Sequence, residues 1–473
     1  MNSISKAIIL LGLLIVVSTG SLIFFKGFSE DQADALTKGT SDAKNIIGKI
    51  TLATDDWEGY SSACSKEMHH LLANKGYLLE CINDGGAYDE RYQSLAAGEV
   101  DLAFGTIDSY LSVGEKYKYP GVIISVVDES KGGDAILSKR FKSFKDIKNK
   151  TVSVSFVKDS PSQFLWSVVA KNFGIKYKDY PTSSPKEAYD LMTSGKVDFS
   201  VLWQPFVNSA ISDGYNKIVG SESINGLIVD ILIANRESLD DDKEKIMIFL
   251  SEYYAYMKNK LGTTNTGIKL YGINDNKHFY DDNFIVDSIV NISNILNISL
   301  DNPYSLINSA ITNSIVDNSK SLDSDTYLNI KDQLENIYST TSFSKLSDSQ
   351  WEYLAKVGNL KVEQIKFKSG SSLLTLRGKE ELDNIGRIIS QYNYRVKIIG
   401  HSSLDGDEEI NLELSKDRAK SVENYLVRIS NVNSLQVKSI GVGIKRPLKR
   451  IHSESWRNYN KRLQRVEFVF LTE

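Results

Sequence analysis

Two stretches of this chain, SLAAGEVDLAFG at 94–105 and LMTSGKVDFSVLW at 191–203, share one order of parts: a helix end, a glycine, a polar residue, Val-Asp, then an apolar strand. This repeat constrains the fold most, because it implies two α/β lobes built alike. Around it, strand and helix alternate. KITLATDDWEGY reads as a buried strand ending in a polar turn, and SACSKEMHHLLANKG as a helix closed by Gly76. YLLECIND and DLAFGTID read as the next strands, and PSQFLWSVVAKNFG as an amphipathic helix with Pro161 in its first turn. Such alternation predicts mainly parallel sheets with helices on both faces. A cleft between two such lobes is a natural small-molecule site, since strand carboxyl ends and helix N-termini converge there.

At 473 residues the chain is too long for one ordinary domain. Residues 1–26 hold the uncharged run Ala7–Phe25, bounded by Lys6 and Lys26. Its length nearly spans a hydrocarbon core of about 30 Å. The expectation is an uncleaved signal-anchor, a single transmembrane helix, with STGS offering the alternative of a cleaved leader. Either way the rest of the chain is exported, which places the protein in the inner membrane with its bulk in the periplasm. Residues 27–47 read as a polar tether and 48–300 as the lobed domain. Residues 301–361 read as a linker with a helix at DTYLNIKDQLENIYS. From 362 to 473 the pattern is a compact α+β domain: VEQIKF, RVKIIG, LQVKSIGVG and QRVEFVFL as strands, with two long helices between them.

A net charge of -4 argues against a general nucleic-acid binder. The two cysteines, Cys64 and Cys81, form no CxxC. They sit at the same end of a β-α-β unit, as a disulfide or as two buried thiols. No cofactor or metal set is expected. Neither is an enzyme: there is no G-x-S-x-G and no histidine at the cleft.

The candidate ligand residues gather where strands end. Asp55, Asp56, Trp57 and Tyr60 follow the first strand, and Thr106 and Asp108 the third. Ser160 and Ser162 open the second lobe's helix, and Trp203 ends a strand. Helix N-termini favour anions, whereas paired carboxylates with tryptophans favour cations. The two signals disagree on ligand charge. Helix capping accounts equally for Asp55, Asp56 and Ser160, and core packing for Trp203.

GEVDLAFGTIDSYL, SVVDESKGGDAILSK, KTVSVSF, SPSQFLW and GKVDFSVLWQPFVNSA together resemble the type II periplasmic solute-binding proteins of ABC importers, in the branch that includes nitrate, sulfonate and taurine receptors. The resemblance implies a discontinuous first lobe, about 48–126 plus 222–300, with the second lobe at about 127–221. It also implies hinge closure on a small solute and an ABC permease as partner. The absence of an arginine from the stretches assigned to the cleft argues against a simple anion such as nitrate.

Arg418 stands early in the helix begun by NLELSKDRA, where a cation opposes the helix dipole and calls for a carboxylate partner. IKFKSGSSLLTLRGKEELDNIGRII, VKIIGHSS, NLELSKDRAKSVENYL, SIGVGIKRP and QRVEFVF resemble the OmpA-like peptidoglycan-binding domain. The resemblance implies that Arg418 binds a diaminopimelate carboxylate of the cell-wall stem peptide, within a site that includes Asn411. The family's aspartate for the amine end is replaced by Ser403, with Asp405 or Asp407 as substitutes. Of the family's N-R-R before the last strand, Leu463-Gln464-Arg465 keeps only Arg465. The whole reads as a membrane-anchored solute receptor moored to peptidoglycan. The alternative is a structural linker from inner membrane to wall.

Overall fold

The computed structural model describes residues 46–472 apart from 149, 225, 263–281, 301, 309–342, 369 and 431. The Ala7–Phe25 run, most of the tether and the DTYLNIKDQLENIYS segment lie outside the described residues. Among the described residues no helix is long and apolar enough to cross a membrane.

The chain enters one sheet with β1 (Gly48–Thr54), β2 (Tyr77–Asn83), β3 (Leu102–Thr106) and β4 (Gly121–Glu129). It crosses to a second sheet for β5 (Asp134–Ser138), β6 (Thr151–Val157), β7 (Lys176–Thr182), β8 (Phe199–Trp203) and β9 (Asn216–Gly220), then returns as β10 (Val229–Asn235). The first sheet has order β2-β1-β3-β10-β4 and the second β7-β6-β8-β5-β9. In each, four strands point one way, and the strand arriving from the other lobe, β10 or β5, runs antiparallel to both its neighbours. The two lobes therefore share one topology.

The Val-Asp repeat has a physical role that explains why it recurs. Asp101 accepts from the backbone N–H and hydroxyl of Thr51 at 2.8 and 2.9 Å. Asp198 accepts from the same two groups of Ser153, both at 3.0 Å. Each aspartate staples the entry of one strand, β3 or β8, to that strand's parallel partner, β1 or β6. The preceding glycines, Gly98 and Gly195, take φ of +70° and +72°, a left-handed turn that disfavours side chains. Below these staples the sheets bury continuous apolar runs: β3, β5, β8 and β10 are buried along their whole length, as expected of strands covered on both faces.

Cys64 and Cys81 are joined as a disulfide, tying the segment before helix Lys66–Asn74 to β2. Helices Lys243–Gly262 and Asp282–Leu296 return to the first lobe, and Ile307 bridges to Ile123 of β4.

The last domain has a sheet of order β11-β14-β12-β13, formed by β11 (Ala355–Leu360), β12 (Arg395–Gly400), β13 (Val437–Gly441) and β14 (Val466–Thr472). Here one expectation fails. VEQIKF is not a strand of this sheet; the partner of β14 is the earlier segment Ala355–Leu360. Thr375 N–H and hydroxyl both bond Lys366 O, so the VEQIKF chain folds back on its own downstream segment. Helices Leu376–Gln391 and Glu408–Arg428 cover the sheet, and a further helix, Trp456–Leu463, precedes β14.

This domain docks on the second lobe. Phe173 packs on Tyr392 and Phe470, Asn172 donates to the Tyr392 hydroxyl at 3.1 Å, and Asn393 N–H bonds Ser223 O at 2.8 Å. A groove of about 520 Å³ runs along the contact, lined by Lys142, Lys145, Lys217 and Lys356 among others.

Candidate functional site

The interlobe cleft lies where β1, β3 and β10 of one lobe face β5 and β8 of the other. Two indoles cross it in opposite directions. A Cβ on Gly133, at the entry to β5, would stand 2.2 Å from the Trp57 ring. One on Gly86, in the loop after β2, would stand 3.2 Å from the Trp203 ring. Each tryptophan thus packs on a glycine of the opposite lobe, and both rings are buried.

Between them lie buried carboxylates. Asp55 anchors the turn after β1, accepting from Trp57 N–H at 2.8 Å. Asp108 stands in the first turn of helix Ile107–Ser112. Asp134 opens β5 opposite Trp203, held by the Ser130 hydroxyl at 2.6 Å. Asp230 sits in β10 opposite Thr106 and accepts from the Tyr60 hydroxyl. Burial pushes Asp108 up to about 7, with the Asp134 charge adding to it. Burial likewise lifts Asp134 to about 7, with Asp55 adding. Asp230 is driven well above the usual carboxylate range, first by burial and then by Asp134, Asp55 and Asp108.

The sequence reading missed Arg91, which lies in helix Tyr88–Ala96 with a fully buried side chain. Its guanidinium is consumed: Nε and Nη2 donate to Asp84 at 2.6 and 2.5 Å, Nη2 to Asp55 at 2.8 Å, and Nη1 to Phe104 O at 2.9 Å. It also lies over the Tyr88 ring at 4.5 Å. Asp84, Asp134, Asp230 and Tyr88 were missed as well. One signal existed: Asp230 is a lone acid inside the apolar run GLIVDILIA, a residue that a core strand does not tolerate without purpose.

The predicted residues divide. Asp55, Trp57, Tyr60, Asp108 and Trp203 meet in the cleft. Asp56 is exposed and accepts from Asn83 at 2.6 Å. Thr106 caps its helix in a reciprocal pair with Ser109. Ser160 caps helix Pro161–Phe173 and donates to Val157 O at 2.7 Å. Ser162 is fully buried, and its hydroxyl has no partner. Asp108 Oδ1 and the indole nitrogens of Trp57 and Trp203 are likewise buried and unpartnered.

In the last domain, Arg418 is buried at the middle of helix Glu408–Arg428, not in its first turns as the sequence suggested, so the dipole argument does not apply to it. Its Nε donates to Ser371 O at 3.1 Å, one Nη reaches Gln464 at 3.5 Å, and the guanidinium lies 5.2 Å over Phe367. Burial lowers its pKa, and among the described residues no carboxylate pairs with it. Ser403 is half-buried on the same loop. Asp407 is spent as the helix N-cap, accepting from Glu409 and Ile410 N–H. Asp405 is exposed and accepts only from neutral groups, Asn460 at 2.6 Å and Trp456 at 3.3 Å. Asn411 shapes this loop by donating to Asp405 O. Arg465 is committed to Glu467 at 2.7 Å. Burial would raise Glu467, but His401 and Arg465 beside it hold it at about 2.

Paired lobes of one topology, joined by two crossings and closed on buried polar side chains, have the architecture of a binding-protein fold, here followed by an OmpA domain. Residues 366–461 match the OmpA family. Over 98 residues the chain is 31% identical to the peptidoglycan-associated lipoprotein of Pseudomonas aeruginosa, a match covering 21% of this chain and 58% of that protein. Among solved structures similar to the lobed part is a putative periplasmic sulfonate-binding protein SsuA of Methylobacillus flagellatus KT, 12% identical, covering 59% of this chain and 96% of that one at a TM-score of 0.44. The periplasmic aliphatic sulphonate binding protein SsuA of Escherichia coli is 14% identical, covering 57% and 83% at a TM-score of 0.37. The C-terminal domain of Helicobacter pylori MotB is 20% identical, covering 24% and 87% at a TM-score of 0.22.

Proposed function

We propose that this protein is an envelope-anchored receptor that clasps a small solute between its two lobes while its last domain holds it to peptidoglycan. The observation that carries the receptor reading is the set of buried, unpartnered polar atoms on facing lobes: Asp108 Oδ1 on one, Ser162 Oγ and Trp203 Nε1 on the other. An unsatisfied buried polar atom costs about 1–3 kcal/mol, and a bound solute supplies the missing partners. Hinge motion at the two crossings between the sheets, after β4 and before β10, admits it. The wall reading rests on Arg418, a buried guanidinium without a counter-carboxylate, aligned with the family's carboxylate-binding arginine. Asp405, an ionisable group near Ser403 that no cation pairs with among the described residues, serves the amine end of the stem peptide. The N-terminal run anchors the chain in the inner membrane, and an ABC permease receives the solute.

A thermal-shift screen of the full chain against small amines, sulfonates, nucleobases and sugars tests the receptor. A ligand at 100 times its Kd stabilises the native state by about 2.7 kcal/mol, which moves the melting temperature by several degrees. A flat response across all classes refutes the receptor reading and favours a purely structural tie.

A further inference from the structure

The lobed domain's sequence resembles anion receptors, yet its cleft carries the opposite electrostatics. We infer that the interlobe cleft is built for a small organic cation bearing N–H donors, a protonated amine or amidine; this rests on the receptor reading above. Three buried carboxylates from different elements converge there: Asp108 from helix Ile107–Ser112, Asp134 from β5 and Asp230 from β10. Among the described residues, no cation pairs with any of them. The buried cation nearby, Arg91, spends its donors on Asp84, Asp55 and Phe104 O. One guanidinium against two carboxylates leaves that cluster net negative, and four of its five N–H donors are spent within it.

The usual anion cradle is also filled. Helix Pro161–Phe173 opens toward the second lobe's side of the cleft, but the Ser160 hydroxyl takes the N–H of Ser162. Gln163 takes the N–H of Asp159. The other helix at the cleft carries Asp108 in its own first turn, which repels an anion.

A second observation points to a ligand independently of charge. Trp203 crosses from its own lobe to pack on Gly86, so its indole lies within the cleft, and its Nε1 is buried without a partner. The Ser162 hydroxyl, fully buried, has none either. The carboxylates accept the ligand's N–H groups, and Trp203 and Ser162 engage an acceptor or hydroxyl on the same molecule. The Trp57 and Trp203 rings, each packed on a glycine of the opposite lobe, border the cleft, and aromatic faces attract cations. Asp108 and Asp134, both lifted to about 7, ionise as a cation binds. Cation binding therefore releases protons, and affinity rises with pH through about 7 before levelling off. Asp55, Asp84, Arg91, Asp230, Tyr60 and Tyr88 complete the charged and titratable surroundings.

The experiment is a calorimetric titration of the full chain at pH 6 and pH 8 with agmatine, putrescine and benzamidine in one arm, ethanesulfonate and nitrate in the other. The expected result is binding in the cation arm alone, tighter at pH 8. Asp108→Asn combined with Asp134→Asn should weaken it about tenfold or more. These isosteric changes remove buried like charges, so an unchanged or higher melting temperature verifies folding. Binding confined to ethanesulfonate or nitrate overturns the cation assignment and leaves the receptor reading standing. Silence in both arms overturns the assignment, and the broader thermal-shift screen then decides the receptor reading separately. Cation binding that the double variant leaves intact also overturns the assignment, because it places the ligand elsewhere.

Discussion

Arg91 shows how a residue can organise a site without touching a ligand. Its guanidinium fixes Asp55 and Asp84 on two different loops and ties both to β3 through Phe104 O. Removing one partner of a buried ion pair strands the other charge, at a cost of about 3–5 kcal/mol. Arg91→Met should therefore lower the unfolding free energy by that order in a urea melt; a loss below about 1 kcal/mol would contradict the role. Arg91 was not legible in the sequence because YDERYQSLA, read alone, does not say which helix face turns to the cleft. Arg418 was legible because its motif fixes its place. Its surroundings were not: Ser371, Gln464 and Phe367 come from distant segments that only the fold brings together. The loop beside it resolves in favour of one acid. Asp407 is a cap, so Asp405→Asn should weaken wall binding while Asp407→Ala acts chiefly on stability, by roughly 0.5–2 kcal/mol. Sedimentation with peptidoglycan and a thermal melt, run on both variants, separate the two effects.

At the scale of elements, the repeated staple explains why the two-lobed architecture is legible in the amino-acid sequence. Val-Asp after a left-handed glycine marks the start of β3 in one lobe and of β8 in the other, because the aspartate must reach back to Thr51 or Ser153. The parallel strands followed from that pattern. The antiparallel β5 and β10 did not, since nothing local distinguishes a strand that arrives from another lobe. VEQIKF misled for a related reason: its apolar spacing suits a strand, but its backbone pairs with its own downstream segment instead. Two predictions belong here. The Cys64–Cys81 bond closes a loop of 17 residues, worth about 3 kcal/mol in loop entropy. Cys64→Ser with Cys81→Ser should lower the melting temperature by several degrees; an unchanged melt would show that the bond adds nothing. Gly133 seats Trp57, and a Cβ there would stand 2.2 Å from the ring. Gly133→Ala should weaken solute binding and lower the melting temperature of the ligand-free chain, because the added Cβ must displace the Trp57 ring.

For the whole molecule, charge placement in the cleft couples protonation to stability and, on the proposed reading, to solute binding. Asp108 and Asp134 titrate near 7 in the folded chain against an ordinary 3.8. Between those values the native state holds protons that the unfolded chain has released. Stability of the ligand-free protein should then fall as pH rises from about 4 to about 7, and a bound cation should reverse much of the loss. Thermal melts across that range check the sign. The last domain docks on the second lobe through Phe173, Tyr392 and Phe470, so on the proposed reading the wall-binding module rides on one lobe of the receptor. A receptor moored to the wall should travel with it, and the most direct test is co-sedimentation of the full chain with purified peptidoglycan, wild type against Arg418→Ala. Loss of a charged hydrogen-bonding contact of about 1.5–3 kcal/mol predicts that the wild type pellets and the variant stays largely in the supernatant. Equal sedimentation of the two would contradict it.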